Sequence, residues 1–97
     1  SNSFVAVFLW YHFLMGVIWT KSSAKHGVSR EDALWAMAHA EGSTAVEGNP
    51  GWLTKVWVGH PHPQTDRYIE VMGARRGDEF VIFHAMPLSD LYRHLIA

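Results

Sequence analysis

Apolar and polar positions along this chain fall into blocks of different period. Phe4 to Trp19 is apolar, interrupted only by His12 and Gly16. Its aromatic and β-branched members (Phe4, Val5, Val7, Phe8, Trp10) fit a strand, whereas Leu9, Phe13 and Leu14 would equally line a helix. Val17 to Thr20 reads as a short strand. Thr20 can then cap a short helix running to Lys25, with Gly27 stopping it in the left-handed conformation. Ser29-Arg30-Glu31-Asp32 resembles a capping box, and its acids suit a first helical turn. Ala33, Leu34, Met37 and Ala38 follow as one helical stripe in an alanine-rich stretch that Gly42 ends.

Beyond Gly42 the pattern changes from helix to strand. Glu47 to Gly51 is a turn cluster, and Trp52 to Val58 is rich in β-formers. Gly59-His60-Pro61-His62-Pro63 cannot continue a central strand, because two prolines remove ladder donors. Tyr68 to Met72 alternates as a half-buried strand. Gly73 to Asp78 is expected to be a hairpin loop. Phe80 to Ala85, continuously apolar, is expected to be the best-buried strand. Pro87 breaks it, and Ser89 to Ile96 reads as a closing helix with Leu91, Tyr92 and Leu95 inward. The predicted order is strand, two helices, a three-stranded antiparallel meander and a helix. That is an α+β fold with helices packed on a sheet.

At 97 residues there is room for one domain. Cysteine is absent, so neither disulfides nor thiolate metal sites hold it together. The net charge of −1 gives no global positive field. All 17 charged residues lie beyond residue 20. The uncharged start is too short for a spanning helix, which takes about 20 apolar residues. It also lacks the basic flank of a secretory signal. The expectation is therefore no membrane and a cytoplasmic protein. Met15 would make a natural chain start, dividing the sequence into a hydrophobic extension, 1–14, and a domain, 15–97. The extension would bury its aromatics against that domain or a second copy, a homodimer through residues 4–19.

Seven histidines raise the question of a metal. His60 and His62 could share one, but no third ligand stands near them, so no metal site and no cofactor is expected. His12 reads as a core or interface residue and His39 as a surface residue. His84 sits in an apolar strand whose alternation puts Phe80, Ile82 and His84 on one face and Val81, Phe83 and Ala85 on the other. On the open side it could act as a general acid/base or phosphate contact; otherwise it is a half-buried structural histidine. Between Lys55 and Arg76, four basic residues (Lys55, Arg67, Arg75, Arg76) face two acids, Asp66 and Glu70. With Trp52, Trp57 and Tyr68 nearby, this stretch is either a small RNA-binding surface or an ordinary solvated hairpin.

Ile18-Trp19-Thr20, then Lys25-His26-Gly27-Val28-Ser29 followed by Glu31-Asp32-Ala33, resembles the opening of BrnT-like proteins, small bacterial toxins of the RelE superfamily. Arg67 to Met72 and Phe80 to Met86 look like that family's last two strands. The resemblance implies a RelE-like fold and a metal-independent ribonuclease toxin that inhibits translation, cleaving through the RNA's own 2′-hydroxyl. It implies a cognate antitoxin as partner and operator DNA bound only through that complex. Carried over, it puts Lys25 and His26 on the family's Lys-His pair and Arg67 on the arginine entering the penultimate strand. With the strand and meander readings above, His84 and His26 are the expected catalytic residues, and Lys25, Arg67, Arg75 and Arg76 the RNA-binding residues. His84-Ala85-Met86 stands where many members have Ser-Ala-Arg, and a methionine cannot neutralise phosphate. The alternative is an inactive toxin-like domain that only dimerises or binds an antitoxin partner.

Overall fold

The computed structural model describes residues 16–97. The expectations for residues 1–15 (the extension, the start at Met15, the placement of His12 and most of the homodimer surface) lie outside them. Five strands form one sheet: β1 (Ile18–Trp19), β2 (Gly42–Val46), β3 (Leu53–Gly59), β4 (Ile69–Arg76) and β5 (Glu79–Pro87). Their order is β1-β5-β4-β3-β2. Strands β2 to β5 make an antiparallel meander, and β1 adds a parallel edge on β5. The α+β class is as expected and β1 falls within the predicted strand Val17–Thr20, but the sheet is mixed and its meander has four strands where three are predicted. Gly42–Val46 went uncounted because its small residues, Gly-Ser-Thr-Ala, carry little of the apolar alternation that marks a strand. The expected loop at 73–78 is also shorter: β4 continues to Arg76, and β5 resumes at Glu79.

Helix α1 (Arg30–Ala38) begins as its sequence requires. Ser29 Oγ accepts the Asp32 N–H at 3.1 Å, satisfying one of the free donors of the first turn. It buries Ala33, Ala36 and Met37 against Trp57, Ile69, Val71, Phe80, Ile82 and Ala85. Leu34 and Ala38, expected on the same stripe, are only half-buried. Contact with the sheet is close: a Cβ at Gly59 would stand 2.7 Å from the Ala36 carbonyl oxygen, so only glycine lets α1 approach β3 there. The opposite face buries Val56 and Val58 completely. Each such side chain contributes roughly 1.5–3 kcal/mol. The closing element, Asp90–Ile96, is a 3₁₀ helix, and its Leu91 is 69% exposed rather than inward. Its partners Tyr92 and Leu95 are half-buried.

One irregularity redirects the chemistry. Met72 pairs with His84, but the next residue, Gly73, pairs with Ile82. Phe83 is thus an extra residue, a β-bulge. It shifts the side-chain period, so Phe80, Ile82 and Ala85 face α1 while His84 falls on the other face. The predicted grouping of His84 with Phe80 and Ile82 is corrected by this single inserted residue. The carbonyls beside the bulge are taken by hydroxyls of the segment entering the 3₁₀ turn Ser23–His26. Thr20 Oγ1 and Ser23 Oγ donate to the Ile82 oxygen at 3.2 and 2.5 Å, and Ser22 Oγ donates to the Phe83 oxygen at 2.7 Å. Gly27 ends the turn at φ 77°, the left-handed stop its sequence predicts.

Candidate functional site

A carboxylate buried in mid-sheet must find hydrogen-bond donors or be expelled. Glu70, on β4 between Ile69 and Val71, is 2% exposed. Its Oε1 accepts the Ser89 backbone N–H at 2.7 Å, and its Oε2 faces His84 Nε2 at 2.8 Å. An ionised carboxylate only accepts, so Nε2 carries the hydrogen and the neutral ring keeps its lone pair on Nδ1. This is the arrangement in which an acid orients a histidine and fixes its tautomer. The imidazole is 26% exposed, so solvent or a ligand can reach it.

The same bulge that turns His84 outward brings it beside the 3₁₀ turn. His26 lies edge-on to His84, with ring centres 6.2 Å apart. Two histidines 58 positions apart in the chain are thus brought together, with Lys25 adjoining the second. The other predicted RNA contacts do not converge there. Arg67 precedes β4, five residues from the Met72 position that faces His84, a span of about 17 Å in extended chain. Arg75 and Arg76 lie at the far end of β4, beside the Gly77-Asp78 turn. Arg76 donates to Glu79 Oε1 at 3.0 Å and covers the Trp52 ring at 4.5 Å. Met86 lies directly across from Glu70 in the ladder.

A second histidine–carboxylate group closes the end of the sheet. Tyr68 Oη donates to Glu41 Oε1 at 2.7 Å, and His60 Nε2 stands 3.1 Å from Glu41 Oε2. His60 stacks on Tyr68 at 4.2 Å, and its Nδ1 is 2.8 Å from the Arg67 carbonyl oxygen. The bond to Glu41, then burial, raises the Tyr68 pKa above its usual value. His62 does not join this group: its Nδ1 accepts the Gln64 N–H at 3.2 Å. Among the described residues, no three His, Asp or Glu side chains cluster so as to hold a metal ion. His39 is exposed and stacks on Trp35 at 3.9 Å.

Sequence reasoning named His84 and His26 but gave Glu70 no role, counting it only in the charge balance between Lys55 and Arg76. The available signal was its place, a lone acid between two β-branched residues in a strand covered on both faces. Glu41 and His60 lie nineteen positions apart, and no local pattern links them. Of the expected dimer surface, the described part is divided: Val17 is buried in this chain's own core, whereas Ile18 is 48% exposed. Among the described residues, no helix is long and apolar enough to cross a membrane. Comparison with protein-family models, with curated proteins and with solved structures finds no match to this chain.

Proposed function

We propose that this chain is a toxin-type endoribonuclease domain of RelE-like fold, working by side-chain acid/base chemistry. The observation that carries the reading is the orientation of His84 by buried Glu70, with His26 as its immediate neighbour. His84 Nδ1 takes the proton from an RNA 2′-hydroxyl. The freed oxygen attacks the adjacent phosphorus, and the 5′-oxygen leaves with a proton from protonated His26. The products are a 2′,3′-cyclic phosphate and a 5′-hydroxyl. Lys25 supplies positive charge beside His26. RNA is the substrate and a cognate antitoxin the protein partner, with operator DNA reached only through that complex, in the cytoplasm. The resemblance of the Lys25–Ala33 segment to BrnT-like proteins supports this part of the reading.

The test is cleavage of total RNA in EDTA by the wild type, His84→Gln and His26→Gln. Glutamine at 84 retains an amide N–H for Glu70 but cannot shuttle a proton. Each variant is expected to lose about 10²–10⁴-fold in rate. No cleavage by the wild type, or equal cleavage by His84→Gln, overturns the catalytic reading and leaves the interaction-domain alternative.

A further inference from the structure

The sheet face that carries Glu70 and His84 also holds a cavity of about 460 Å³, within the range of small-molecule sites. Its walls include Trp52, Phe83 and Tyr92, and its rim includes Glu47 and Asn49. It adjoins the histidine pair: Phe83 precedes His84, and Met72, another lining residue, faces His84 across the ladder. Among the described residues nothing hydrogen-bonds or pairs with the side chains of Glu47 or Asn49. The Arg76 guanidinium sits over the ring of Trp52, one of those walls.

Flat aromatic walls accept any nucleobase by stacking. The rim is selective. A carboxylate offers two acceptor oxygens and no donor, and an amide offers both a donor and an acceptor. Among the four RNA bases, only guanine presents two adjacent donors, N1–H and N2–H₂, on its pairing edge, with the O6 acceptor beside them. Adenine, cytosine and uracil each set an acceptor next to their donor. We propose that this cavity is a guanine pocket: Glu47 reads the two donors, Asn49 reads O6, and Trp52, Phe83 and Tyr92 enclose the ring. Arg76 stands where the nucleotide's phosphate enters. As a statement of RNA specificity this rests on the ribonuclease reading; as a statement of binding it does not.

The test is calorimetric titration of the full chain with GMP, AMP, CMP and UMP, with an unstructured RNA containing all four bases cleaved in parallel. The wild type is expected to bind GMP roughly tenfold or more tighter than the others, the scale of one bidentate base contact. Glu47→Gln, an exposed change whose fold is checked by circular dichroism, is expected to bring the four within about threefold by losing that contact. Phe83→Ala is expected to weaken all four alike. No GMP binding, equal binding of all four, or an unchanged preference in Glu47→Gln overturns the pocket. Cleavage without preference for guanine also overturns it, while sparing the ribonuclease. Selective GMP binding without any cleavage retains the pocket and overturns the ribonuclease.

Discussion

The molecule builds the same pair of groups twice, and the two copies differ in what surrounds them. At Glu70–His84 the carboxylate is 3% exposed and is held by a neighbouring backbone N–H as well as the ring. At Glu41–His60 the carboxylate is 46% exposed and shares its oxygens with Tyr68. Water can replace any partner in the second group. In the first, neither the carboxylate nor the ring can move without leaving a buried oxygen unpaired. Fixed geometry is what an acid/base site needs, and here burial supplies it. The surface group instead ties the β3–β4 connection to the segment leaving α1.

This contrast predicts unequal costs. His84→Ala strips Glu70 of its side-chain partner and is expected to destabilise the fold by about 2 kcal/mol, within the range for leaving a buried acceptor unpaired. His84→Gln keeps a donor near Oε2 and is expected to recover at least about half of that loss. Urea unfolding with constant slope measures both. Equal destabilisation by the two variants would mean that ring packing, not the hydrogen bond to Glu70, makes His84 costly to replace.

At the exposed group the same experiment is expected to give little. His60→Ala removes a half-exposed partner of Glu41, and exposed pairs are worth about 0–1 kcal/mol. A loss near that of His84→Ala would break the comparison, placing the β3–β4 connection among the elements that hold the sheet together.

The legibility of the two groups follows from their construction. Local rules were sufficient for α1, whose Ser29 cap acts within four residues, and for the Gly27 stop. They were sufficient for β3 and the middle of β5, where apolar density is high. They failed at β5's faces, because strict alternation assumes an uninterrupted ladder. The bulge at Phe83 answers to Gly73 and to the hydroxyls of Thr20, Ser22 and Ser23, roughly sixty residues away. The resemblance to a toxin family supplied His26 and the apolar strand supplied His84, but neither supplied the carboxylate beside one of them. Glu70 became visible only when β4 and β5 were set in register with the Ser89 backbone. Arg75 and Arg76, expected beside the histidines as RNA contacts, belong to the turn end of β4, where Arg76 covers Trp52.

The smallest expected effect is the most specific to the exposed group. Tyr68 donates to Glu41 while it is a phenol and loses that bond when it ionises beside a carboxylate, so its pKa is raised. A raised folded-state value means that the contribution to stability is complete below the unfolded value, about 10, and disappears as pH climbs through the folded one. Ultraviolet titration of tyrosinate should show Tyr68 ionising later than the usual value. Glu41→Ala should bring that tyrosine back toward about 10. His84→Gln should leave it where it is, since the two groups share no hydrogen bond. A shift in the second variant would show that the sheet's end and its centre titrate as one network, and the separation drawn between them would not hold.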